Sequence, residues 1–113
     1  MEHKMNLQDW PFYAIKNGTK KIEMRLYDEK RQKIKVGDII VFANQQKTET
    51  ICTKVVALHL FKNFAEIYQK FPKEWLGYKS DEIAKPEDME QFYPAEEIAG
   101  CGVVGIEIQL MNK

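Results

Sequence analysis

Residues 20–28, KKIEMRLYD, alternate between apolar and polar. Ile22, Met24 and Leu26 fall on one face and Lys21, Glu23, Arg25 and Tyr27 on the other, which is the period of a half-buried strand. Upstream, HKMNL (3–7) predicts a short first strand and WPFYAIKN a helix. Asp9 suits that helix's N-cap, Pro11 its first turn, and Gly18 the left-handed position that ends it. After the charged loop EKRQK, a Gly37-Asp38 turn leads into an apolar strand over Ile39–Ala43. TETICTKVVALHLF then predicts a long, bent β-segment rich in β-branched residues. At Phe61 the period changes: Phe61, Phe64, Ala65, Tyr68 and Phe71 are spaced as on a helix that Pro72 stops. WLGYKSDEIA reads as loop or short helix. Pro86 followed by Glu87 and Asp88 starts another helix, with Met89, Phe92 and Tyr93 as its buried stripe and Pro94 ending or kinking it. Val104, Ile106, Ile108 and Leu110 alternate with Val103, Gly105, Glu107 and Gln109 in a closing strand. Several strands with helices inserted toward one side give an α+β fold around a small curved sheet or barrel of about five or six strands.

The 113 residues fit one domain, 1–113, long enough to bury roughly two-thirds of the unfolded surface in a core without staples. No apolar run reaches the length of a membrane span, and MEHKMNLQDW lacks the apolar centre of a signal peptide. A cytoplasmic protein with no membrane partner is expected. Cys52 and Cys101 lie in apolar stretches and match no zinc or redox spacing, which predicts two reduced core thiols. His3 and His59 are isolated, so no metal site is expected; His59, in an apolar strand, reads as a satisfied structural histidine. No phosphate-binding or dinucleotide glycine motif is present, so no cofactor is expected.

Net charge is zero, yet its distribution is uneven. Between Lys16 and Lys35 eight basic residues face three acids, a local excess of five positive charges. Between Asp81 and Glu107 eight acids face one lysine. A basic face that attracts anions and a merely solvated surface both fit this asymmetry.

Within the basic segment, Glu23 and Arg25 share a strand face about 6 to 7 Å apart, and Lys20 comes just before. A glutamate between two cations favours the charged form of all three. Arginine supplies a fork of donors, lysine a point charge, and the carboxylate accepts from an amine or amide, a set suited to a nucleobase or nucleotide. The same residues also suit a surface ion-pair ladder, which contributes little to stability.

Gly18-x-Lys20-x-x-Glu23-x-Arg25 is similar to the GxKxxExR signature of the ASCH domain family (activating signal cointegrator homology). The PFYAIKNG helix, LYDEKRQKIKVGDIIVF, FKNFAEI, the FYP segment and the terminal CGVVGIEI follow in the family's order, so the resemblance covers essentially the whole chain, as in a short bacterial-type member. It implies a PUA-like β-barrel with helices flanking a cleft that the signature residues line. It also implies binding of RNA or nucleotides. One branch of the family resembles an amidohydrolase that deacetylates N4-acetylcytidine using Lys, Thr and Glu; other members are reported as ribonucleases. Lys20 matches the catalytic lysine of that branch, and Glu23 stands where it has Thr. A carboxylate there cannot attack an acyl carbon as a hydroxyl does; it would act as a general base on water. Glu74 and Glu82 are the candidates for the third residue.

Trp75 and Tyr78, beside Gly77, would border a cleft and stack on a base. Trp10, Tyr68 and Phe92 fall in helical stripes and read as core. Tyr27 suits either place. Lys30, Arg31 and Lys33 are placed for phosphate contacts or a solvated turn. Three functions follow: binding of RNA or a nucleoside or nucleotide ligand, with affinity falling steeply in salt; hydrolysis of a modified nucleoside or RNA; and protein interaction through the acidic half. The sequence sets no oligomeric state.

Overall fold

The computed structural model describes residues 1–111. Five strands and four α-helices succeed one another as β1 (Glu2–Asn6), α1 (Asp9–Lys16), β2 (Ile22–Leu26), β3 (Ile39–Ala43), β4 (Thr50–Phe61), α2 (Phe64–Lys70), α3 (Glu87–Glu90), α4 (Ala95–Cys101) and β5 (Val103–Leu110). Short 3₁₀ turns occupy Arg31–Lys33 and Lys73–Leu76. The strands form one sheet in the order β1-β3-β4-β5-β2, curled into a PUA-like half-barrel. Only β1 and β3 are parallel; the other three pairings are antiparallel. The predicted bend in β4 is a bulge at Val56, where the register with β5 shifts between Val55 and Ala57.

Two apolar clusters hold the sheet. One includes Met5, Phe12, Ile15, Ile40, Phe42, Val55, Val104, Ile106 and Ile108, so α1 and four strands meet there. The other joins Ile22, Met24 and Leu26 of β2 to Phe64 and Ile67 of α2, Leu76, and Ile98 of α4. β2 is therefore not half-buried as its alternation suggests. Its apolar face packs against helices, and Glu23 on its polar face is also buried.

Four local readings change. The N-cap position of α1 is Gln8, and Asp9 is already helical, its carboxylate accepting from the Gln45 amide at 3.3 Å. α2 begins at Phe64, with Phe61 left at the end of β4; Asn63 caps it by accepting from the Glu66 amide at 3.1 Å. α4, opened by Pro94 and acids in its first turn, was not expected. Cys52 and Cys101 are free but exposed, not core. Cys52 sits on the outer face of β4 because the buried neighbour is Thr53, whose hydroxyl donates to the Ile40 carbonyl at 2.9 Å. Cys101 lies at the open end of α4.

Candidate functional site

The end of α1 delivers Lys20. Gly18 takes φ +89°, the left-handed conformation that lets the chain reverse, and the amides of Thr19 and Lys20 both donate to the Ala14 carbonyl. The Lys21 amide donates to the Trp75 carbonyl at 2.8 Å, and its carbonyl accepts from Ile108 in β5. Backbone bonds thus fix the segment on both sides, and the Lys20 side chain turns inward. Its ammonium donates to the Leu76 carbonyl at 3.0 Å and lies 3.3 Å from Glu23 Oε1. The other carboxylate oxygen, Oε2, accepts from Arg25 Nε at 2.7 Å. Arg25 Nη2 reaches the Asn6 carbonyl at 3.2 Å, tying β2 to β1, the two edge strands of the sheet.

Lys20 is 5% exposed and Glu23 4%. Burial drives the Lys20 ammonium below its ordinary pKa, against the pull of Glu23. Burial raises the Glu23 carboxyl, but Arg25 and then Lys20 outweigh it, and Glu23 is held below the usual carboxylate range. Arg25 is likewise opposed by burial and held above its ordinary value by Glu23. The three charges are one compensated unit with a net charge of +1.

That unit floors a cavity of about 300 Å³. Leu7, Pro11 and Met24 give it apolar walls, and Trp10, Met89, Phe92 and Tyr93 stand around it. Trp10 is 52% exposed and Phe92 51%, so neither belongs to the core as their spacing suggested. The core stripe of α1 is Pro11, Phe12 and Ile15, which leaves Trp10 on another face. α3 stops at Glu90, so Phe92 lies beyond the helix whose stripe it was expected to join. The Phe-Tyr-Pro run itself was the available signal, since Pro94 leaves Phe92 in a non-helical link. Tyr93 is half-buried and stacked on Phe64, with ring centroids 5.7 Å apart.

The remaining sequence candidates fall elsewhere. Tyr27 packs against the apolar cluster shared by α1 and the sheet. Trp75 stacks on Phe71 and carries the Lys21 ammonium over its ring, 5.2 Å from the centroid. Tyr68 is half-buried and linked by hydroxyls to Tyr78, which donates to Asp88 at 2.7 Å. Glu74, Tyr78 and Glu82 line a neighbouring hollow that shares Trp10 with the charged cavity but does not include Lys20 or Glu23. Lys30 and Lys33 are exposed, whereas Arg31 is drawn in by Asp28, its Nη1 3.1 Å from Oδ2. His59 is half-exposed and bonded to Glu107 at 2.9 Å. Among the described residues no group of three His, Cys, Asp or Glu side chains could hold a metal ion, and no helix is long and apolar enough to cross a membrane.

Residues 5–109 match the profile of the ASCH domain. The crystal structure of hypothetical protein PH0355 is 36% identical in sequence and superposes with a TM-score of 0.82, the match covering 98% of this chain and 100% of that one. The solution NMR structure of protein PF0455 from Pyrococcus furiosus is 34% identical, with a TM-score of 0.70 over the full length of both chains. No curated protein matches significantly. Of the signature residues Lys20, Glu23 and Arg25 line this cavity, whereas Gly18, expected to bind ligand, lies outside it at the turn after α1; with nearly the whole chain matched, this protein belongs to the ASCH domain family.

Proposed function

We propose that the cavity binds a nucleobase, presented by RNA or by a free nucleotide. The observation that carries this reading is the convergence of Lys20, Glu23 and Arg25 on one hollow of about 300 Å³ whose mouth is flanked by the exposed rings of Trp10 and Phe92. Such a volume is at the small end for ligand pockets, right for one heterocycle and too small for a folded helix. Aromatic walls stack on a base of any identity, and the floor offers cationic donors with one carboxylate acceptor to its polar edge. Membership in the ASCH family supports nucleic acid as the ligand class.

The geometry favours binding over hydrolysis. Glu23 is engaged through both oxygens, and its depressed basicity makes it a poor general base. Glu74 and Glu82 lie outside the cavity, so neither completes a catalytic set there. A buried lysine with lowered pKa does favour one alternative, Lys20 as the reactive group of a nucleoside amidohydrolase. Incubation with N4-acetylcytidine separates the two: the binding reading expects no release of cytidine, whereas turnover abolished by Lys20→Met establishes the alternative.

The direct test is titration of nucleosides, nucleotides and short RNAs, followed by isothermal titration calorimetry. Trp10→Ala and Lys20→Met should each weaken binding about tenfold, and Trp75→Ala should leave it unchanged, in line with a stacking contribution of about 1–3 kcal/mol per base. The salt slope should be shallow, near one phosphate's worth, because the floor carries a net charge of only +1. Absence of affinity for every probe at low salt would exclude the reading.

A further inference from the structure

Trp10 and Phe92 line a second hollow besides the base cavity. It has a volume of about 470 Å³ and shares Gln8, Trp10, Met24, Met89 and Phe92 with the first, so the two adjoin along one aromatic and thioether wall. Tyr68, Tyr78, Glu82 and Asp88 line the rest of it. Its charge is opposite to that of the base cavity. Glu82 and Asp88 are the only charged residues on its lining, whereas the floor of the first carries a net +1. Among the described residues neither carboxylate is in an ion pair. The nearby Lys73 ammonium is committed elsewhere: it donates to the Ser80 and Glu82 carbonyls at 2.8 and 2.6 Å and does not line the hollow.

Both carboxylates are held in place by one oxygen and keep the other. Asp88 Oδ2 accepts from the Tyr78 hydroxyl at 2.7 Å, and that hydroxyl accepts in turn from Tyr68 at 2.7 Å. Glu82 Oε1 accepts from the Lys79 amide at 2.7 Å. Among the described residues Asp88 Oδ1 and Glu82 Oε2 have no donor. The rings are tilted, not stacked. Trp10 and Tyr78 stand at 47° with centroids 6.5 Å apart, and Tyr68 and Tyr78 at 67° and 5.9 Å. Rings at such angles do not make the parallel slot that a flat base needs. With free anionic oxygens beside them they have the chemistry of an aromatic cage for a compact cation. The same oxygens repel a phosphate.

We propose that this hollow is an amine subsite, formed by Trp10, Phe92, Tyr68 and Tyr78 with Asp88 and Glu82, so that the protein's ligand is a nucleobase carrying an amine-terminated alkyl arm. The subsite rests on the base-binding reading of the first cavity, since the arm extends from a base held over Lys20 and Glu23. Met24 and Met89, common to both hollows, give the methylenes of the arm an apolar path. The ammonium at its end meets the aromatic faces and the free oxygens of Asp88 and Glu82. Tyr68 and Tyr78 act as positioning residues for Asp88 through their chain of hydroxyls.

The test measures the affinity of cytidine and adenosine in three forms by calorimetry at fixed ionic strength: unmodified, with a butyl chain on the exocyclic amine, and with an aminobutyl chain there. On at least one base the aminobutyl form should bind about tenfold or more tightly than the butyl form, as a desolvated cation among aromatic faces warrants. Asp88→Asn should remove most of that advantage and leave the unmodified nucleoside unchanged; Glu82→Gln should remove a smaller part. Asp88→Glu, which restores the charge, should recover part of it, and Tyr78→Phe, which keeps the ring but releases Asp88, should lower it. Thermal melting of each variant identifies any loss due to unfolding. Equal affinity of the butyl and aminobutyl forms on both bases, or an advantage that Asp88→Asn and Glu82→Gln leave unmoved, would overturn the amine subsite while leaving base binding intact. A dinucleotide that gains more over its nucleoside than the aminobutyl arm does, and loses that gain in Asp88→Asn, would put a second base in the hollow and overturn the proposal. Binding of butylamine and aminobutyl forms alike, with no measurable contribution from any base, would overturn the base-binding reading and the linked ligand with it.

Discussion

Glu23 is shared by two cations in a place nearly closed to water, and this makes the three charged residues unequal. Removing Glu23 as an anion leaves Lys20 and Arg25 facing each other without a counter-ion, so Glu23→Gln should cost about 3–5 kcal/mol. Removing Lys20 leaves Glu23 still bonded to Arg25 and relieves the burial of an ammonium. Lys20→Met should therefore cost much less, under about 2 kcal/mol. Urea denaturation of the two variants checks the order; a larger loss for Lys20→Met would mean that Glu23 is not the common counter-ion. The spacing of Lys20, Glu23 and Arg25 was legible in the sequence, and their burial was not. A polar strand face reads the same whether it meets bulk water or the floor of a cavity, and what decides is Leu76, more than fifty residues along the chain, whose carbonyl receives the Lys20 ammonium.

Between these residues and the sheet stand short elements, and here the sequence was least informative. Long β-branched runs gave β3, β4 and β5 because alternation over five or more residues leaves little choice of face. A four-residue helix such as α3 completes barely one turn, too little for a stripe to be read, which is why the spacing put Phe92 in the core. Trp10 was misplaced because α1 buries Pro11, Phe12 and Ile15 and leaves its ring on another face, beside the residue that follows the 3₁₀ turn Lys73–Leu76. At the end of that turn Gly77 has φ +108°, and a Cβ there would stand 2.9 Å from Trp10 Cζ3 and 3.1 Å from Lys20 Cδ. Trp10, being exposed, can swing away, but the left-handed backbone cannot be relieved in the same manner. Gly77→Ala should thus destabilise the fold by about 1–2 kcal/mol from backbone strain and displace the Trp10 wall. The expected readouts are a lower melting temperature and a change in Trp10 fluorescence; an unchanged Trp10 signal would show that the wall does not rest on this glycine.

At the scale of the molecule, the cavity depends on how the sheet's open edge is held. β1 contributes Asn6 to the cavity and leads straight into Leu7 of its wall, yet it is a five-residue edge strand paired on one side only, to β3. Its start is pinned by Asp38, which accepts from the Met1 ammonium at 3.2 Å, bonds His3 Nε2 at 2.8 Å and accepts from the Lys35 amide at 3.0 Å. The Gly37-Asp38 turn was legible from its residue types, but its second task depends on a partner 35 residues away and was not. The bond to His3, then that to the Lys35 amide, holds the Asp38 carboxyl down at about 2 against an ordinary value of 3.8. A carboxyl whose folded pKa lies below its unfolded one contributes stability in full above the unfolded value, and that contribution disappears as pH falls through the folded one. The window is therefore about pH 4 down to about pH 2. Glu23, also depressed, acts with the same sign, and its protonation removes the counter-ion of Lys20 and Arg25 at the cavity floor. Wild-type stability should accordingly fall across this window. Asp38→Asn should be less stable at neutral pH, lose less between pH 4 and 2, and converge with wild type near pH 2. Ligand affinity should fall over the same range, because loosening β1 removes the Asn6 carbonyl that holds Arg25. Chemical denaturation at a series of pH values decides the matter: curves for wild type and Asp38→Asn that stay parallel from pH 4 to 2 would place the acid sensitivity elsewhere.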